Sequence, residues 1–295
     1  MQLTLSGAKV AIMGGDAREV ILAQHLAELN ALVKVAGLPV NGKNIIRCQD
    51  MAEAIDNVDA LILPVPGVNE EMKLYSAYVE TSMYLTGELL AKLPQGSPVF
   101  VGVGKSPLKK LIKKMGLRLI EVMEINEVAI LNSIPSAEGA VQLAMDNMPI
   151  TIHGSRAWVM GFGRTGITLA RVLQALGAKT TVVARNVSQL ARAEEMGLET
   201  ARYSQSDIFS EEVDVIFNTV PALVLNETIL KRLPTGVLII DIASAPGGTD
   251  FDAAKKLGIK AVLAPGLPGK VAPITAGRIL AKVVPRLLAD ELTLR

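Results

Sequence analysis

Short apolar runs alternate along this chain with stretches in which apolar residues recur every three to four positions. The runs have the character of strands buried on both faces, and the periodic stretches that of amphipathic helices. In the first part of the chain, strands are predicted at 9–13, 33–36, 60–63 and 99–101, with a further one at 117–120. After the segment 14–18 a helix is predicted through Leu29. In the second part, strands are predicted at 157–160, 180–184, 213–218, 237–241 and 260–263. Between the parts lies a long helical pattern over 133–150, with Ser133 as its cap and Pro135 in its first turn, where a missing N–H is tolerated. A last helix, about 275–290, is expected to pack back on the first part.

Strand and helix alternating in this way predict an α/β protein with parallel sheets. The expected architecture is two Rossmann-like, doubly wound domains separated by a cleft. A flavodoxin-like domain covers 1–132 together with the C-terminal stretch 275–295. A connecting helix covers 133–150, and a dinucleotide-binding domain covers 151–274. The 295 residues suffice for two cores.

Composition narrows the class. Half the residues are apolar, 3% are aromatic and the net charge is +1, which gives no electrostatic case for nucleic acid or an anionic membrane. The single Cys48 excludes a disulfide framework and fits a reducing compartment. With no signal-peptide pattern and no apolar run long enough to span a bilayer, a cytoplasmic protein is expected. No cluster of Cys, His or carboxylates has metal-ligand spacing, so no metal is expected.

The most specific local signal is Gly161, Phe162, Gly163, Arg164, Thr165 and Gly166, set between an apolar run and a helical one. Strand, glycine turn and helix is the context in which Gly-x-Gly-x-x-Gly binds a dinucleotide. Gly161 permits the tight turn, Gly163 lets backbone approach a pyrophosphate, and Gly166 lets helix and strand pack closely. The helix N-terminus then offers N–H groups to phosphate. About 20 positions on, NAD-binding folds place a carboxylate on the ribose 2′-OH, and here Arg185 stands instead, followed by Asn186 and Ser188. A guanidinium suits a 2′-phosphate, so NADP is the expected cofactor. The alternative is a solvated loop arginine that tolerates NAD. Ser188 either adds a hydroxyl or caps the next helix.

Ligands of open parallel sheets sit beyond the carboxyl ends of the strands. In the second domain those ends carry Thr219, Val220 and Pro221, then Asp241, Ala243 and Ser244, then a glycine-proline loop containing Lys270. Together they outline a nicotinamide pocket. In the first domain the same rule selects Asp16, Arg18 and Lys105, with Arg18 and Lys105 as the cations for a carboxylate substrate. Asp16 also reads as a helix cap. His153 precedes the first strand of its domain and is expected at the wrong end of that sheet, and His25 is expected on a helix surface.

Several segments recur in order: 14–18, 132–139, 151–155, 161–166, 243–250 and 264–273. Pro-Gly-Gly-Thr-Asp at 246–250 and Ala-Pro-Gly-Leu-Pro-Gly at 264–269 are the most specific. Over nearly its full length the chain resembles the dipicolinate synthase A family of endospore-forming bacteria. The resemblance implies an NAD(P)-dependent oxidoreductase acting on dihydrodipicolinate, or on its hydroxy-tetrahydro precursor, to give dipicolinate. It implies a small dicarboxylate substrate, a flavoprotein-like partner (dipicolinate synthase B), an oligomeric assembly and a place in the mother-cell cytoplasm during sporulation. For that reaction Arg18, Lys105 and Lys270 are the candidates to hold the two carboxylates, and Asp16 or Asp241 to accept a proton. Asp241 is equally placed to order the loop after its strand. Two rival readings stay open: a dinucleotide-binding scaffold for the flavoprotein, and a 2-hydroxyacid-type dehydrogenase, whose usual Arg/Glu/His set is not visible.

Overall fold

A computed structural model describes residues 3–203 and 212–293. The chain divides into two compact units, Met1–Val128 with Pro273–Arg295, and Ala129–Ala272. Among the described residues no helix is long and apolar enough to cross a membrane.

In the first unit, strands β1 (Lys9–Met13), β2 (Leu32–Ala36), β3 (Ile45–Arg47), β4 (Ala60–Ile62), β5 (Pro98–Val101) and β6 (Arg118–Glu121) form one parallel sheet, in the order β3-β2-β1-β4-β5-β6. Without β3 this would be the flavodoxin order, 2-1-3-4-5, and β3 extends it to the doubly wound order 3-2-1-4-5-6. The flavodoxin-like expectation is corrected accordingly. The strand escaped notice in the sequence because it is a three-residue edge with two exposed positions, its apolar run only Ile45 and Ile46. Helices α1 (Ala17–Glu28), α2 (Met51–Ala54), α3 (Gly87–Leu90) and α4 (Ser106–Lys114) belong to this unit. Ala11, Met13, Leu61, Leu63, Val99 and Val101 form the heart of one of its core faces.

Helix α5 (Asn126–Asn147) starts about two turns before the predicted 133, so Pro135 lies inside it and Ser133 is not its cap. The Ser133 hydroxyl instead donates back to the Ile130 carbonyl at 2.6 Å and shares a hydrogen bond with Thr168 Oγ1. An interior proline costs a helix a hydrogen bond. Burial of Val128, Ala137, Ala140, Val141 and Ala144 along α5 offsets that cost.

The second unit repeats the plan. Strands β7 (Arg156–Met160), β8 (Lys179–Ala184), β9 (Glu199–Arg202), β10 (Val215–Asn218), β11 (Leu238–Asp241) and β12 (Lys260–Leu263) run parallel in the order β12-β11-β10-β7-β8-β9. Its helices are α6 (Arg164–Ala175), α7 (Val187–Glu195), α8 (Glu227–Leu230), α9 (Phe251–Lys256) and α10 (Leu267–Val271). Alternation along β7 feeds both faces: Ala157 and Val159 enter one core, Trp158 and Met160 the other. This is why the strand reads as a continuous apolar run. Helix α11 (Pro273–Thr293) returns to the first unit and lies on α1. It approaches closely at Gly277, where a Cβ would stand 3.1 Å from Arg18 Cα. Both units are therefore Rossmann-like.

Candidate functional site

The order of the second sheet reverses between β7 and β10, and at such a switch point the carboxyl ends of neighbouring strands part to leave a crevice. The turn after β7 is built for close approach. Gly161 has φ +89, and a Cβ there would meet Val220 Cγ2 at 2.6 Å and Thr219 Oγ1 at 2.8 Å. Gly166, on the first turn of α6, would drive a Cβ to 2.2 Å from the Gly161 carbonyl oxygen. Gly163 is different. It is the N-cap of α6, no side chain caps the helix there, and a Cβ would meet nothing within 4 Å. The first N–H groups of α6 therefore face an open space backed by a positive helix end, the geometry a pyrophosphate needs.

That space opens into a cavity of about 540 Å³. Residues 161–165 form one wall, Arg185 and Asn186 after β8 a second, and Thr219, Val220 and Pro221 after β10 a third. Ala243 and Ser244 after β11 complete it. Each loop is held in place. The Thr219 hydroxyl and backbone N–H both donate to the Met160 carbonyl, at 2.9 and 3.0 Å. The Asn218 side chain closes on the backbone of Val220, donating to its carbonyl and accepting from its N–H. Two sequence candidates lie outside the wall: Gly166, whose role is packing, and Ser188, which is exposed on α7. The cap of α7 is not Ser188 but Asn186, whose Oδ1 accepts from the Ser188 N–H at 2.8 Å.

Arg185 is exposed in the cavity wall and has no hydrogen-bond or ion-pair partner among the described residues. Beside it are Gln189 and Tyr203, which the sequence reading missed. Tyr203 follows β9, an edge strand of polar composition that announces nothing in sequence. Its hydroxyl is buried without a partner among the described residues, and burial pushes its pKa up to about 12 against the opposing pull of Arg185, so it stays a hydrogen-bond donor. A free guanidinium, an orphan hydroxyl and an uncapped helix end fit a phosphorylated, ribose-bearing ligand.

Asp241 is completely buried at the end of β11, and its oxygens are all engaged. Oδ1 accepts from the Ala243 N–H at 3.1 Å, and Oδ2 accepts from the Gly248 N–H at 2.8 Å and the Thr249 hydroxyl at 2.7 Å. Of its two readings from sequence, the geometry favours the ordering of the loop that carries Ala243 and Ser244. It weighs against Asp241 as a proton acceptor, because the carboxylate is completely buried and already accepts three hydrogen bonds from its own loop. Lys270 belongs to this unit too, exposed on the short α10. His153 packs beside Gly177 at the amino end of β7, away from the turn.

In the first unit the corresponding switch point is filled by protein. Asp16 caps α1, and Glu19, the third residue of a capping box, accepts from the Asp16 N–H and the Val65 N–H, both at 2.8 Å. Gly15, at φ +113, would place a Cβ 2.5 Å from the Glu19 carboxylate. A side-chain carboxylate thus occupies the place a phosphate would take. Glu19 is 1% exposed, and desolvation holds its pKa above the ordinary glutamate range. The Asp-x-x-Glu spacing was a legible sign of it. Arg18 is not a free cation: Nε and Nη2 form a bidentate pair with Asp16 at 2.9 and 2.8 Å, both side chains largely buried. Burial alone would raise the Asp16 pKa, but the hydrogen bonds and charge of Arg18 outweigh it and hold the carboxyl below its usual range. Both groups therefore lose their predicted freedom, Asp16 as a base and Arg18 as a carboxylate clamp. Lys105, the N-cap residue of α4, is exposed and unpaired among the described residues. Among those residues no cluster of metal-ligating side chains occurs.

Comparison with known proteins assigns the class and then the family. Residues 134–248 match the NAD binding domain of D-isomer specific 2-hydroxyacid dehydrogenases. The second unit is thus a nicotinamide dinucleotide-binding domain of dehydrogenase type. Residues 9–123 match the N-terminal domain of dipicolinate synthase A. Over 289 residues the chain is 39% identical to dipicolinate synthase A of Bacillus subtilis, covering 97% of each. The crystal structure of dipicolinate synthase A from Bacillus halodurans superposes with a TM-score of 0.93 at 41% identity, over 97% of this chain and 99% of that one. The Bacillus subtilis structure gives a TM-score of 0.93 at 38% identity over 99% of both. The chain belongs to the dipicolinate synthase A family.

Proposed function

We propose that this chain catalyses the NADP-dependent oxidation of dihydrodipicolinate, or of the hydroxy-tetrahydro compound that dehydrates to it, to dipicolinate. It would do so in the mother-cell cytoplasm during sporulation, with the flavoprotein-like dipicolinate synthase B as its partner. The observation that carries the reading is the glycine-turn cavity with its unpaired Arg185, in a chain of this family.

A bound nicotinamide supplies the hydride acceptor, and a proton leaves the substrate as its ring becomes aromatic. Residues 161–166 and the N-terminus of α6 would hold the pyrophosphate, and Arg185 the 2′-phosphate. The loops at 219–221 and 243–244, pinned by Asn218 and Asp241, would form the walls around the nicotinamide. Aromatisation is downhill, so positioning and desolvation supply most of the help the step needs. With Arg18 engaged, Lys105 on the first unit and Lys270 on the second are separate exposed candidates to meet a carboxylate.

One observation favours a second reading. Asp16 and Asp241, the two proposed bases, are both committed to structural bonds. That suits a dinucleotide-binding scaffold that leaves the proton transfer to its partner, or to water.

The two are separated by supplying NADP or NAD with freshly prepared dihydrodipicolinate, with and without the flavoprotein-like partner. Reduced cofactor and dipicolinate should appear in equal amounts, with NADP preferred. Dipicolinate formed with no reduction of the nicotinamide, and only when the flavoprotein-like partner is present to take the two electrons, would favour the scaffold.

A further inference from the structure

A cavity of about 410 Å³ lies wholly within the first unit, apart from the glycine-turn site. Two ammonium groups, Lys73 and Lys105, line it together with Tyr75, Ser76 and Asn69. No carboxylate lines it. The lining therefore carries two positive side chains and no negative one, while Glu70 and Glu71 of the same turn as Lys73 stand outside it. Neither lysine has an ion-pair partner among the described residues, whereas Lys109, one turn on from Lys105, is neutralised by Glu121 at 2.8 Å.

The backbone that carries the two lysines is fixed. Lys73 closes a tight turn in which its N–H donates to Asn69 Oδ1 and its carbonyl accepts from the Asn69 N–H, both at 2.9 Å. On the other side, the loop leading to Lys105 is pressed against the loop after β4. The Val103 N–H donates to the Val65 carbonyl at 3.1 Å, and a Cβ on Gly67 would reach 2.7 Å from the Val103 carbonyl oxygen. The frame is therefore rigid while both charged ends are left without a partner, the arrangement expected where the partner is a ligand. The exposed Tyr75 adds a flat apolar face to the same wall.

We propose that this cavity binds a small planar dicarboxylate, with Lys73 and Lys105 each taking one carboxylate and Tyr75 facing the ring. Lys73 is thus a binding residue that takes the place in which Arg18 was expected. The identity of the anion rests on the function proposed above, but the charge arrangement does not.

The test is calorimetric titration of the full chain with three probes: dipicolinate, picolinate, which has one carboxylate, and isophthalate, which has two on a benzene ring. Lys73→Gln and Lys105→Gln should each weaken dipicolinate about tenfold, the scale of one charge-assisted contact at a half-open site, and bring it level with picolinate. Lys110→Gln, which removes the same charge from α4 outside the cavity, should change little, and NADP binding should be unaltered in all three variants. Unchanged dipicolinate binding in Lys73→Gln, an equal loss in Lys110→Gln, or no dicarboxylate binding by the wild type would each overturn the inference. If isophthalate binds through both lysines and dipicolinate does not, the site stands and the proposed reaction falls.

Discussion

Arg185 follows one strand of the sheet and Asp241 ends another, yet the fold leaves the first free and claims the second. Arg185→Ser should weaken NADP roughly 10- to 100-fold and leave NAD within about twofold, measured by titration of each cofactor. Equal losses for both would assign Arg185 to the cavity wall and remove the 2′-phosphate. Asp241→Asn places an amide against the Gly248 N–H and Thr249 hydroxyl donors, and should cost about 2–3 kcal/mol in urea unfolding. Full stability with lost turnover would reinstate Asp241 as a catalytic group. Arg185 was legible because its place is set by chain distance from a glycine motif. Asp241 stayed ambiguous because two of its partners lie seven and eight residues on and are brought back only by the folded loop. Tyr203 was illegible, since an edge strand without an apolar pattern delivers it to the cavity.

The turn between β7 and α6 separates two uses of glycine that one motif conceals. At Gly166 an added methyl meets backbone, so Gly166→Ala should destabilise the second unit by about 1–3 kcal/mol, seen in thermal or urea unfolding. At Gly163 the methyl meets no protein atom, so Gly163→Ala should unfold within about 0.5 kcal/mol of wild type. It should still lose tenfold or more in dinucleotide affinity, about 1.4 kcal/mol. Unimpaired binding by Gly163→Ala would mean that no phosphate sits at that helix end. Most elements were legible in the alternation of apolar runs with helical periodicity, because parallel strands buried on both faces leave a strong signal. What failed was local: the edge strands β3 and β9 carry too few apolar residues, and Pro135 reads as a helix start although α5 begins nine residues earlier, at Asn126.

Across the whole molecule, two sheets with the same strand order use their switch points in opposite ways. The second is open to a ligand, and the first is filled by Glu19, with consequences for stability against pH. Because the folded-state pKa of Glu19 is raised, the folded chain keeps a proton that the unfolded chain gives up, and stability falls as pH climbs above the ordinary glutamate value. Asp16 acts at the other end. Its lowered pKa contributes stability that is complete above the ordinary aspartate value and is lost as pH falls through the folded one. Urea midpoints of Glu19→Gln taken from about pH 5 to about pH 8 should vary less than those of the wild type, even though the variant is less stable throughout. An unchanged slope would show that Glu19 is ionised in the folded state.

The proposed reaction passes a ring hydride from a dihydropyridine dicarboxylate to nicotinamide. It is tested most directly with substrate carrying deuterium at the ring carbon that gives up the hydride, and oxidised NADP. The label should be recovered on the nicotinamide ring of the reduced cofactor, and Gly163→Ala should slow the transfer about tenfold or more when cofactor is limiting. Label found only in solvent, with dipicolinate formed and the cofactor still oxidised, would contradict it.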